Sequence, residues 1–245
     1  YWGYALRIGI PIVPHYLSGI ILNQGDRIMI DKMVGKTEVA LYGLAYSIGM
    51  LVQLFISGMN SALTPWMYSK IKKGDIRSMR KLLQLLSVVV VGIAVALMLI
   101  SPELVLIFGS PKYREAVYVI PPVAASVFFI FIYNILSMPQ FYYEKTQFLM
   151  AASMAAAGAN VVLNFIFIRL FGYIAAGYTT LACYMLYSVG HYIVSKRILV
   201  NEGIQENLMS PGFLVACSVF LIGASIICNL IFPYRILRYA ILLAS

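Results

Sequence analysis

Apolar runs of membrane-spanning length follow one another through the chain with only short polar breaks, and this repetition leaves few folds open. Seven can be drawn, at about 8–30, 40–66, 82–108, 117–140, 147–170, 173–195 and 212–232, with an incomplete eighth from about 236. A hydrocarbon core of about 30 Å takes about 20 apolar residues per helix. In lipid a backbone amide finds a partner only within its own structure, so each run is expected to be helical. Composition points the same way. The chain is 62% hydrophobic and 11% charged, with a mean hydropathy of +0.88, where a soluble domain is about 25% charged. The expected class is an all-α polytopic membrane protein, with the lipid bilayer as its first partner.

Lys and Arg outnumber Asp and Glu by 18 to 9. In a membrane protein this excess belongs to short loops under the positive-inside rule rather than to nucleic-acid binding. The densest run, YSKIKKGDIRSMRK, holds six cations between Lys70 and Lys81. Placing it in the cytoplasm also puts Arg7, Lys145, Lys196 and Arg197 there, ten cations against seven on the other side. That orientation makes the Tyr1 end cytoplasmic. Aromatics such as Trp2, Trp66, Tyr142 and Tyr234 gather near span ends, at headgroup depth. Cys183, Cys217 and Cys228 lie in apolar runs without metal or redox spacing and read as small packing residues. Tyr1 stands where a Met would begin a protein and Ser245 ends an apolar run, so a piece of a longer protein is expected.

Residues 8–34, IGIPIVPHYLSGIILNQGDRIMIDKMV, carry polar groups that a span does not need. Ionisable groups at membrane depth are costly and tend to face a bundle interior or a wet cavity. At 100° per residue, His15, Gly19, Asn23 and Asp26 share roughly an 80° arc, with Arg27 at its edge. Asp26 and Arg27 form either a local ion pair that fixes helix rotation, or a split pair. In the second case Arg27 faces the cavity and Asp26 is a proton or sodium site. His15 is either a proton carrier near mid-membrane or a packing residue.

Other spans repeat the pattern. Gly49, Gln53, Ser57, Asn60 and Thr64 form one stripe. Ser126, Tyr133, Ser137 and Gln140 form another, with Asn134 offset. Ser153, Ala157, Asn160 and Asn164 share a face, as do Gly177, Thr180, Tyr184, Ser188 and His191. Such positions serve helix packing and interhelical hydrogen bonds. The amides are the stronger candidates for a cavity. The candidate lining residues are therefore His15, Asn23, Asp26, Arg27, Gln53, Asn60, Asn160, Asn164 and His191, with Asp26 and His15 as candidates for ion coupling. The span at 82–108 has almost no polar face and is expected to stand away from the cavity. Prolines recur at depth (Pro11, Pro14, Pro65, Pro102, Pro121, Pro122, Pro139), where each removes an intrahelical bond and marks an expected kink.

No paired acidic motif, HExxH, GxSxG or phosphate-cradling glycine loop is present. His15 and His191 are too few for a protein metal cage, and no cofactor is expected. A polar-lined helical bundle with a few buried ionisable groups suits a transporter.

The run NQGDRIMIDKMVGKTEVALYGLAYSIGMLVQLFISGMNSALTPWMY resembles the seventh and eighth helices of bacterial polysaccharide flippases, the O-antigen and capsule repeat-unit translocases. SPELVLIFGSPKYREAVYVIPPVAAS is similar to that family's link between its ninth and tenth helices. The resemblance covers nearly the whole chain. It implies the multidrug/oligosaccharidyl-lipid/polysaccharide exporter fold, two six-helix lobes facing each other across a cavity. Residues 1–195 would be the second lobe, 196–210 a cytoplasmic linker and 211–245 additional C-terminal transmembrane helices. The implied cargo is an undecaprenyl-diphosphate-linked oligosaccharide, flipped by alternating access, with a polysaccharide polymerase complex as a further partner. Arg27 is then the main candidate for meeting the diphosphate, and Arg7 a weaker one. Alternatives are a multidrug cation exporter or peptidoglycan-precursor flippase of the same fold, or a membrane glycosyl- or prenyl-transferase whose active site lies elsewhere in a longer chain.

Overall fold

The apolar runs are helical among the described residues, the one at 40–66 being divided between two helices. The computed structural model describes residues 2–244, excepting the side chains of residues 7, 8, 236 and 242–244; Arg7 is thus outside the described side chains. Among the described residues there is no strand. In chain order the helices are α1 (Trp2–Met33), α2 (Lys36–Gly49), α3 (Leu51–Lys73), α4 (Ile76–Phe108), α5 (Ile120–Tyr142), α6 (Thr146–Phe171), α7 (Ile174–Asn201), α8 (Pro211–Ile231) and α9 (Arg235–Ala244). A 3-10 segment, Pro111–Val119, leads into α5.

α5 is the axis of the bundle. From Ile120 to Gln140 every residue is buried except Tyr133 and Asn134, because α7, α4, α3, α2 and α8 all pack around it. α1 lies mainly along α6, and α6 along α7. The outer faces of α1, α4, α6 and α8 keep large apolar side chains exposed, among them Val13, Leu85, Phe165 and Val219. That surface suits lipid.

Five helical segments are long and apolar enough to cross a membrane, and the bent α2–α3 pair makes a sixth. Seven full spans were expected. The difference is α7, which reads as a span by length but carries Thr179, Thr180, Tyr184, Tyr187 and His191, all buried inside the bundle. Interior polarity lowers its hydropathy.

The kink between α2 and α3 is 40° and falls at Met50. It does not fall at Pro65, which sits inside α3. Gly49 explains the location: a Cβ there would come within 2.7 Å of Val123 Cγ1 on α5. The bare backbone is pressed against the central helix where the chain bends. The expected basic loop is mostly helix. Lys70, Lys72 and Lys73 end α3, where cations suit the helix dipole, and Arg77, Arg80 and Lys81 lie in α4. Between them Gly74 closes α3 at φ +68° and Asp75 caps α4, accepting from Ser78 N. Lys70 meets Asp75 at 2.5 Å. That contact and the Ser78 bond hold the Asp75 carboxyl down at about 2. The linker is shorter than expected, since α7 continues to Asn201. Arg80 ties it to the basic turn by donating to Asn207 O at 2.7 Å, and its Leu208 and Met209 are buried.

Candidate functional site

A cavity of about 750 Å³ opens between α1, α2, α5 and α7. Helical spacing on α1 builds one wall, because His15, Gly19, Asn23 and Arg27 recur every four residues and all reach the cavity. Five tyrosines also line it: Tyr16, Tyr46, Tyr133, Tyr184 and Tyr187. Tyr133 stacks on Tyr184 with ring centroids 6.2 Å apart at 7°, and leans on Tyr187 at 4.5 Å. Gln24 and Asn134 add amides. No Asp or Glu is among the lining residues.

Arg27 is the one cation among the described lining residues. It donates from Nη1 to Gln24 Oε1 at 2.9 Å and lies over the Tyr46 ring, 5.2 Å from its centroid. Its Nε has no partner among the described residues. No ion pair joins it to Asp26 among the described residues, so the adjacent residues are split. One step along a helix turns by 100°, and here it moves the side chain from the cavity into the helix-packing seam.

Asp26 sits in that seam, fully buried. Three donors from three other helices meet it: Tyr42 Oη at 2.5 Å, Asn164 Nδ2 at 2.5 Å and Thr180 Oγ1 at 2.7 Å. Asn164 also donates to Asn160 Oδ1 at 3.1 Å and accepts from Thr179. Hydrogen bonds of this kind replace water around a buried carboxylate, but they do not neutralise it. Asp26 has no counter-cation among the described residues. Asn23 stands between the two places: it lines the cavity and accepts from Tyr46 Oη at 2.8 Å.

The predicted residues therefore divide. His15, Asn23 and Arg27 line the cavity. Asp26, Asn160 and Asn164 do not; they form the buried cluster behind it. His191 is also off the wall, fully buried beside Tyr133 and Tyr187, with Nδ1 2.7 Å from Gln140 Nε2. Gln53 and Asn60 lie half-buried on α3, outside the cavity, each with a shielded oxygen lacking a partner among the described residues. The two ion-coupling candidates are not in one place. His15 faces the cavity, 3.2 Å from Tyr187 Oη, whereas Asp26 is sealed away from it. α4 contributes nothing to the lining, as its apolar sequence suggested.

Sequence reasoning missed Tyr42 and the tyrosine lining as a set. The available signal was Tyr42 and Tyr46 one turn apart on α2, and Tyr184 and Tyr187 one turn apart on α7, of which Tyr46, Tyr184 and Tyr187 lie away from the span ends where interfacial tyrosines gather.

Comparison with known proteins locates this arrangement. A model of the MatE family matches residues 11–166, which hold α2 to α5 whole and most of α1 and α6. Protein 1 of the Lsg locus of Haemophilus influenzae is 29% identical over 159 residues, 62% of this chain and 38% of that protein. An uncharacterized membrane protein of the same organism is 30% identical over 151 residues, 59% of this chain and 36% of its own length. The match thus spans well under half the length of either curated relative. No solved structure matches the chain. On the family match over more than half of its residues, the chain belongs to the MatE family of membrane exporters, within the multidrug/oligosaccharidyl-lipid/polysaccharide exporter superfamily.

Proposed function

We propose that the chain is one lobe of a lipid-linked oligosaccharide flippase, which moves an undecaprenyl-diphosphate repeat unit across the bacterial cytoplasmic membrane by alternating access. The observation that carries this reading is the chemistry of the cavity lining. Stacked tyrosine rings offer flat apolar faces to the C–H faces of sugar rings, and their hydroxyls and the Asn and Gln amides serve sugar hydroxyls. Arg27 adds a guanidinium for a diphosphate oxygen. An exporter of organic cations would be expected to present a carboxylate to its cargo, and none lines this cavity.

Asp26 supports a coupling role distinct from cargo binding. It is a buried carboxylate without a cation, so uptake of a proton or sodium ion is the neutralising event open to it. Tyr42 on α2, Asn164 on α6 and Thr180 on α7 would all feel that event through direct bonds. In this reading the basic turn at 70–81 is cytoplasmic, residues 1–195 are the second six-helix lobe and α8 and α9 are additional. A polysaccharide polymerase complex is the expected neighbour.

The test is complementation of a flippase-null strain with the full-length protein. Arg27→Ala should lose most surface polysaccharide while the protein is still made and inserted, and Arg27→Lys should restore part of it. Full restoration by Arg27→Ala would remove the assigned role.

A further inference from the structure

A second polar recess, of about 640 Å³, shares no lining residue with the cavity and lies where the end of α4, the 3-10 segment and the α8–α9 turn meet. α4 starts at the basic turn, and Glu103, which lines the recess, stands about 40 Å further along it at 1.5 Å per residue. The recess is therefore at the opposite end of the bundle from the basic turn. Tyr118 lines it and packs against Phe232 at 5.9 Å. The neighbouring Tyr234 is exposed. Aromatics in this position mark headgroup depth.

Arg114, Arg235 and Arg238 line the recess with Glu103 and Glu115. Arg238 is only 4% exposed. It forks onto Glu103 at 2.8 and 2.9 Å and donates to Leu99 O at 2.8 Å. Tyr239 Oη also donates to Glu103, at 3.0 Å. The charge of Glu103 is thus met locally. Even so, the shielded Nε–H of Arg238 has no partner among the described residues. Arg114 and Arg235 are exposed and form no ion pair among the described residues, with Arg235 lying over the Tyr239 ring, 5.6 Å from its centroid; Glu115 is the second carboxylate of the described lining.

We infer that this recess binds a phosphate group, with Arg114 and Arg235 supplying the open guanidiniums and the Arg238–Glu103 pair holding α9 in place to form the wall. Guanidinium forks match phosphate oxygens. At headgroup depth the phosphodiester of an anionic membrane lipid is the form in which phosphate arrives. A lipid bound here would pin α8 and α9 to the end of α4, outside the transport cavity.

The test uses the full-length protein in nanodiscs containing phosphatidylglycerol and phosphatidylcholine, with bound lipid counted by native mass spectrometry. Arg114→Gln and Arg235→Gln should each lower phosphatidylglycerol retention about fivefold, from roughly 1 kcal/mol per arginine at a membrane surface. Lys112→Gln, a cation of the same end that does not line the recess, should leave it unchanged. Titration of the delipidated protein with inorganic phosphate, followed by phosphorus NMR, separates the sources. Lipid retention without free-phosphate binding assigns a lipid; phosphate binding that both Arg variants weaken, with lipid retention unchanged, assigns a soluble anion. Retention and phosphate binding that are both indifferent to Arg114→Gln and Arg235→Gln overturn the site.

Discussion

Tyr42 donates its hydroxyl to the buried carboxylate of Asp26 at 2.5 Å, and one turn later on the same helix Tyr46 donates to Asn23 at 2.8 Å. Two tyrosines spaced i, i+4 on α2 thus pair with two polar groups spaced i, i+3 on α1. The first pair is sealed in the helix seam; the second is on the cavity wall. A shift of α2 along α1 cannot break one without disturbing the other. Under the proposed coupling role, a change in the charge of Asp26 would reach the cavity wall through α2.

Asp26→Asn keeps the shape of the side chain and removes its charge. The protein should fold, retain cargo binding and lose its dependence on an ion gradient, measured as transport with and without an imposed pH or sodium gradient in proteoliposomes. Tyr42→Phe leaves the carboxylate one donor short and should cost about 1–3 kcal/mol in unfolding free energy. Because both residues belong to one network, the double variant should lose less than the sum of the two.

Gly49→Ala should destabilise the bundle by about 1–3 kcal/mol, since its methyl would meet Val123 Cγ1 at 2.7 Å and Cβ at 2.9 Å. Val123→Ala in the same protein should recover only part of the loss, because it removes Cγ1 but keeps the Cβ at 2.9 Å. Thermal unfolding of the detergent-solubilised variants reads both effects. An undiminished midpoint in Gly49→Ala would mean that the α2–α3 bend does not rest on this contact.

The basic turn carries a pH signature. Lys70, together with Ser78, lowers the Asp75 carboxyl from 3.8 to about 2. A depressed carboxyl contributes stability that is present above its unfolded value and is lost as pH falls through the folded one. The stability difference between wild type and Asp75→Ala should therefore be constant from neutral pH down to about 5, then shrink as pH approaches 2. Because the Asp75 side chain is 35% exposed and its partner Lys70 27%, solvent screens the pair and the difference itself should be small.

Much of the architecture was legible because lipid imposes a length and a period that sequence displays openly. Helical spacing put His15, Asn23 and Asp26 on one stripe with Arg27 at its edge, whereas the cavity is lined by His15, Asn23 and Arg27 and Asp26 lies in the seam. Asp26 resisted the same treatment. Its neighbour in sequence, Arg27, suggested an ion pair, whereas its actual partners Tyr42, Asn164 and Thr180 come from three other helices. The bend at Met50 was hidden for a related reason. Prolines advertise kinks, but Gly49 acts through Val123, which is distant in sequence and close only in the fold. α7 was drawn as an ordinary span from its length, and its tyrosines acquire meaning only once α5 and α1 are placed opposite them.

The proposed transport step is passage of a sugar-bearing diphosphate lipid through the tyrosine-lined cavity past Arg27. It is tested most directly by reconstituting the full-length protein in liposomes and following transbilayer movement of an undecaprenyl-diphosphate oligosaccharide by its accessibility to an impermeant glycosidase. The wild type should expose cargo to the outer leaflet well above protein-free vesicles, with Arg27→Ala and Tyr133→Ala each slowing it at least tenfold, equivalent to about 1.4 kcal/mol or more per contact. Movement at the wild-type rate in both variants, or no movement by wild type in vesicles where the same protein exports an organic cation, would contradict it.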